Sequence, residues 1–296
     1  MAAEGGDELR VDVDLAGRLI ADQVPEYASV ELGRRYIADD HVAVRLGDEL
    51  GVWLPATQFT SDSVTGAAQL AKLQSRRWTF PASVQVAAGE PTDYYPFQWQ
   101  ILNWYGMSTA AIVPLTSAAC APIGHALREI HRRAPADAPP HGGGTSTLAD
   151  FNAEMKALLE QSRTMTGPAG ERLNLDTVGR YWEAGLEAEI DSPPTWIHGG
   201  LNPFAVLSDH GHFAGLCNWQ FFGAGDPAVD LGAVTSLLPL TDKIAAWDAY
   251  GPFSKALRAR SDAYCKLAML RGVTSPSPFL ANGAWDTIGH DEDLLL

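Results

Sequence analysis

Cysteine is scarce in this 296-residue chain: Cys120, Cys217 and Cys265 are odd in number and far apart, which fits neither a disulfide framework nor a zinc site. Basic residues are scarce as well, 21 Lys and Arg against 36 Asp and Glu, for a formal net charge of -15. Nucleic acid and anionic membrane are held largely through Lys and Arg, so neither is an expected partner. No apolar run approaches the length of a membrane span or a signal-peptide core, and the opening MAAEGGDELR is polar and acidic. Together these absences point to a soluble protein of the reducing cytoplasm. What the chain does have is 46% hydrophobic residues, enough for a real core in one large domain or two modest lobes.

A helical opening is expected over Val13 to Val24. Val30 to Pro55 then alternates apolar and polar residues and is interrupted by IADDH and LGDEL, which reads as three strands joined by tight turns. Apolar spacing from Ser61 to Leu73 predicts a helix, with Ser61 or Ser63 as N-cap. Strand-like stretches come next at Ser83 to Ala88 and Phe97 to Asn103. From Pro114 the character turns helical: Ser117 to Arg132, Leu148 to Gln161 and Asp176 to Ile190 are the expected helices, and PADAPPHGGGTST reads as a flexible surface linker. Two short strands flank the hairpin SDHGH within Trp196 to Gly232. No firm structure is expected for TSPSPFLANGAWDTIGHDEDLLL.

The segment WIHGGLNPFAVLSDHGHFAGLCNWQFFGAGDPAVDLG resembles the catalytic and metal-binding loops of the aminoglycoside phosphotransferase family, which is kinase-like in fold. That family carries H-G-D-L-H-P-x-N, a hairpin, an I-D-W segment, then G-D-P-x-x-D-L. The matching frame here is His198, Gly199, Leu201, Pro203, Val206, Trp219, Gly225, Asp226, Pro227, Asp230 and Leu231. VRLGDELGVWLP is similar to the family's second and third strands, and YYPFQWQILNWYGMSTA to its hinge; the likeness extends to about Leu270. It implies an α+β, bilobal, protein-kinase-like fold. The expected division is a β-rich lobe over residues 1–104 and a mainly helical lobe over 105–296, with the hinge near Asn103 to Met107.

The same resemblance shows what is missing. Phosphoryl transfer needs two positioned substrates and neutralised charge on the triphosphate, usually through magnesium. The family's catalytic aspartate falls on Gly200, its metal-holding asparagine on Ala205, and its metal-holding aspartate on Asn218. Hard magnesium prefers anionic oxygen, and this pair supplies none. The phosphate-binding cation of the third strand falls on Trp53, and its helical glutamate partner on Ala67, whose neighbours Thr65, Gly66 and Ala68 are not acidic either.

Each remaining candidate has a plainer reading beside its chemical one. His198 has the pKa range of a general base, yet in the family this histidine braces the loop. Asp226 and Asp230 are retained, and the family uses them mainly as scaffold. Trp53 offers a face for stacking but also simply fills space at a strand. His210 and His212 lack a third ligand for a metal and read as a polar hairpin. Asp39, Asp40 and His41 are explained by turn geometry. The HGGG beginning at His141 has the form of an esterase oxyanion loop, but no G-x-S-x-G comes after it, so it reads as linker.

The expectation is therefore a pseudokinase of small-molecule metabolism, with no metal and no cofactor, whose partner is a small organic molecule and whose oligomeric state is open. That ligand would meet Asn202, Phe204, Asn218, Trp219, Gln220 and Trp53, and if the chain is instead a repurposed tailoring or cyclising enzyme, acid-base work falls to His198 or Asp226. An ATP-dependent small-molecule phosphotransferase with an atypical site is the remaining alternative.

Overall fold

The computed structural model describes residues 11–142, 147–239, 243–289 and 293–296. The acidic N-terminal segment through residue 10 and the glycines after Gly142 in HGGG lie outside them. Contacts divide the chain into two compact units: one runs up to Leu73 and resumes over Ser83–Gly106, and the other comprises Gln74–Ala82 and Met107–Leu296.

In the first unit α1 (Val13–Gln23) starts where Asp12 accepts the backbone N–H of Leu15 at 3.0 Å. Strands β1 (Leu32–Ile37), β2 (His41–Leu46) and β3 (Leu50–Pro55) form an antiparallel meander after it. Alternation puts Val42, Val44 and Leu46 on one face, where they are buried with Val52, Leu54 and Ile101 against Ala16, Leu19 and Ile20 of α1. The expected single helix is two, α2 (Gln58–Thr65) and α3 (Ala67–Ser75), broken at Gly66. Its cap is Thr57, whose side chain accepts from Thr60, and not Ser61 or Ser63. Those two serines are buried inside the helix because it begins at Gln58, soon after strand β3 and three residues earlier than apolar periodicity alone suggests. Strands β4 (Gln85–Gly89) and β5 (Trp99–Asn103) complete a sheet of order β1-β2-β3-β5-β4.

The second unit is mainly helical. It carries β6 (Ser108–Thr109), α4 (Cys120–Ile130), α5 (Asn152–Ser162) and α6 (Leu175–Glu187), then β7 (Thr195–Ile197), β8 (Val206–Asp209), β9 (His212–Leu216) and β10 (Gly223–Gly225). Helices α7 (Ala228–Thr235), α8 (Lys243–Tyr250), α9 (Lys255–Val273) and α10 (Pro278–Ile288) complete it. Helix α9 is the hub, with α5, α6, α7 and α10 packed on it. The β8–β9 hairpin closes through His210 and Gly211, at φ 50° and 85°, the left-handed pair that a two-residue turn between twisted strands requires.

Two expectations are overturned in this unit. PADAPPHGGGTST is not a free linker over its described part: Pro140 bridges Ala224, the Ala224 N–H donates to the Pro139 carbonyl at 2.9 Å, and the His141 N–H donates to the Ala224 carbonyl at 3.0 Å. Proline and glycine suppress local periodicity, but the extended backbone they favour still adds to a sheet. The C-terminal stretch does contain a helix, α10, with Pro278 in its first turn and Trp285 and Ile288 buried. It is held by packing on α9, where Gly272 faces Ala284, and not by any strong amphipathic stripe of its own.

Candidate ligand site at the 198–205 loop

The loop after β7 is organised by one carboxylate. Asp230, in the first turn of α7, is fully buried and accepts the backbone N–H of His198 at 2.6 Å and of Gly199 at 2.9 Å. His131 Nε2 donates to the same group at 3.1 Å, and its Nδ1 shares a hydrogen bond with the Tyr250 hydroxyl at 3.0 Å. Burial alone would raise the Asp230 carboxyl, but the hydrogen bond and charge of His131, with His198 and the Gly199 amide, hold it below the ordinary carboxylate range. Asp226 sits one turn earlier. It accepts the N–H of Ala228, the first residue of α7, at 3.0 Å and receives the Arg260 guanidinium at 2.6 and 3.2 Å. Arg260 also donates to the Glu189 carbonyl and lies 3.4 Å from Asp191. Both retained aspartates are thus spent on the backbone and on a buried arginine.

His198 is fully buried, and its tautomer is set by its neighbours. Nε2 lies 2.9 Å from the Cys217 carbonyl, which can only accept, so Nε2 carries the proton and Nδ1 is the acceptor for the Gly200 N–H at 3.3 Å. No ring lone pair is left for a substrate. Burial pushes its pKa down, with the Asp230 charge and the Cys217 carbonyl opposing. His141, also buried, is pushed down in the same way. The thiol of Cys217 is pushed up by burial to about 12, which removes it as a nucleophile.

The remaining expected residues differ in their surroundings. Gly200 and Ala205 occupy the positions the resemblance gives to a base and a metal ligand, and Ala205 is fully buried. Asn218 adopts the left-handed region at φ 64°, tolerable for Asn, and its amide donates to the Phe204 carbonyl at 3.1 Å. Asn202 is turned back on its own loop, accepting Phe204 N–H at 2.8 Å and donating to the Gly200 carbonyl at 3.3 Å. Trp219, expected to offer its face to a ligand, is buried: its ring lies 4.7 Å from Trp78, stacked, and 4.5 Å from His198. Phe204 alone of the set is a large exposed apolar side chain, at 49%. Gln220 is half-buried in the short turn Trp219–Phe221. Trp53 belongs to the first unit, where it is buried in β3 with its ring 4.9 Å from His41. Among the described residues no group of three His, Cys, Asp or Glu side chains is arranged to hold a metal.

Sequence reasoning missed Trp78, which stacks on Trp219 from a stretch given no element, and His141, which packs against Gly199 from a segment read as linker. Only the aromatic content of RRWTFP hinted at the first.

The buried titratable groups make acid the weak direction. A histidine whose folded pKa lies below its unfolded value contributes stability that is complete above the unfolded value and is lost as pH falls through the folded one. His141 and His198 both obey this sign, from about pH 6.5 downward. Asp230 adds loss of the same sign at lower pH. The thermal midpoint is expected to fall from pH 7 to pH 5, and His141→Gln to flatten that slope; a midpoint that rises toward acid contradicts it.

The family model described as phosphotransferase enzyme family matches residues 65–264. Among solved structures, the GDP complex of aminoglycoside 2'-phosphotransferase-IIIa is 12% identical, with 96% of this chain and 98% of that chain covered at a TM-score of 0.61. The GDP and kanamycin complex of APH(2")-IIia is 13% identical over 94% and 99%, at 0.60. Macrolide 2'-phosphotransferase MphH from Brachybacterium faecium is 15% identical over 95% and 99%, at 0.57. These likenesses establish a bilobal kinase-like fold. No curated protein sequence matches.

Proposed function

The chain belongs to the phosphotransferase enzyme family, and from that premise we propose that it is a pseudokinase, one that binds a small organic molecule at its former catalytic loop without transferring phosphate. The observation that carries this reading is the fate of Asn218. At the position where the family holds magnesium, its neutral amide is committed to the Phe204 carbonyl, so the group is both uncharged and already bonded. An aspartate there would set a carboxylate oxygen against that carbonyl.

The rest of the loop supports a binding surface over a reacting one. His198 has no free lone pair and Asp226 is held by Arg260, which weighs against the repurposed-enzyme reading. Phe204, with Gln220 and Phe221, supplies apolar surface with one amide, suited to an uncharged or cationic guest with a flat apolar face. The second reading, an ATP-dependent small-molecule phosphotransferase with an atypical site, is favoured by family membership and by relatives solved with GDP.

Thermal shift with Mg-ATP separates the two. With no cation at Trp53 and no anionic anchor for magnesium, no upward shift is expected from an acidic protein facing a triphosphate. Micromolar binding would add about 2.7 kcal/mol at a hundredfold ligand excess. A clear rise in midpoint would therefore favour the phosphotransferase.

A further inference from the structure

Gly200 is not merely a missing carboxylate, because the space its side chain would need is taken. A Cβ built on Gly200 would lie 2.5 Å from Cδ2, 3.1 Å from Cγ and 3.3 Å from Cβ of Phe221. Real Cβ atoms do not approach carbon that closely, so any side chain at position 200 collides with the ring. The same residue is gripped from two more sides. A Cβ on Gly199 would lie 2.7 Å from the Phe221 carbonyl oxygen, and one on Gly142 would lie 3.1 Å from its Cα and 3.2 Å from Cδ1. The Gly142 N–H donates to the Phe221 carbonyl at 3.0 Å. Three glycines from two distant segments thus form a socket around one phenylalanine.

Gly199, at φ 77°, needs to be glycine for its backbone alone. Gly200 does not: its φ is outside the left-handed region, and all three nearest atoms to its absent Cβ belong to Phe221. Only the ring explains why position 200 carries no side chain.

We infer that Phe221 is a steric block built into the former catalytic loop: its ring occupies the base position, and Gly200 and Phe221 are one interlocked pair. This deepens the pseudokinase reading and rests on it for the identity of the base position. A guest reaching this loop meets an aromatic ring where the relatives' motif places an acid. Restoring the acid by Gly200→Asp alone is barred, since the carboxylate has nowhere to go until the ring is removed.

The experiment is a two-by-two set of thermal midpoints for Gly200→Ala, Phe221→Ala and the double variant. In the parent chain Gly200→Ala forces a clash and is expected to lower the midpoint by on the order of 5 °C. In the Phe221→Ala background the same change meets only the remaining Cβ, at 3.3 Å, and most of the loss is expected to disappear. If Phe221→Ala does not fold, the crystal structure of Gly200→Ala gives the second readout: a Phe221 ring displaced from its place is expected, and a ring left where it is overturns the inference. An equal loss from Gly200→Ala in both backgrounds, or no loss in the parent chain, overturns the inference. Neither measurement needs turnover or nucleotide, so detected phosphotransfer would sink the pseudokinase reading while leaving this steric result to stand or fall by itself.

Discussion

Incubated with Mg-ATP labelled at the γ-phosphate and a panel of aminoglycosides and macrolides, the protein is expected to transfer no label above the rate without protein. The size of the deficit is set by the parts that are lost. Loss of a general base alone costs about 10²–10⁴ in rate, or roughly 3–5 kcal/mol of barrier. On the pseudokinase reading Gly200 stands where the base would be, and Ala205 and the committed amide of Asn218 stand where the metal ligands would be. Such losses act on one constellation and need not sum, but with the base and both metal ligands absent together turnover is expected to lie close to background. Gly200→Asp and Asn218→Asp, singly, are expected to leave the outcome unchanged, the first because Phe221 fills the space and the second because the Phe204 carbonyl faces the new carboxylate. Labelled product that disappears on Asn218→Ala would mean that this amide does serve the metal, and the pseudokinase reading would be lost.

Replacing Asp230 by Ala is expected to be the most destabilising single change in the loop region. The carboxylate is fully buried and satisfies two backbone amides and one imidazole; without it, the N–H groups of His198 and Gly199 and the His131 Nε2–H are stranded away from water. Unsatisfied buried donors of this kind cost about 1–3 kcal/mol each, and breaking a buried charged cluster about 3–5 kcal/mol in all. For a chain of this size that is on the order of 10 °C in thermal midpoint. Asp230→Asn keeps an acceptor oxygen and is expected to lose less. Asp226→Ala is also expected to lose less, because Arg260 keeps the Glu189 carbonyl and Asp191 as partners. Melting curves of the three variants give the order directly. An Asp230→Ala midpoint within about 1 °C of the parent would show that the loop is held by something else.

The amino-acid sequence by itself determined the meander and the loop frame. Strand β2 was legible because one buried face imposes a period of two on adjacent residues, its neighbours β1 and β3 because turn residues bound them, and the hairpin at His210–Gly211 because a two-residue turn needs left-handed backbone. The residues at positions 200, 205 and 218 could be singled out too, since the order of the resembling motif places them without coordinates. Tertiary structure alone decided what surrounds those positions. Whether Asn218 faces a guest or the Phe204 carbonyl, and whether Trp219 points outward or onto Trp78, depends on side-chain directions that chain order does not encode. The same holds for Gly142, which meets Phe221 from a segment whose proline and glycine hide any period, and for α10, whose packing on α9 supplies what its own pattern lacks. Local pattern records the period of one element against one face. The Gly200–Phe221 block is made by contact between segments, and only the folded chain brings those segments together.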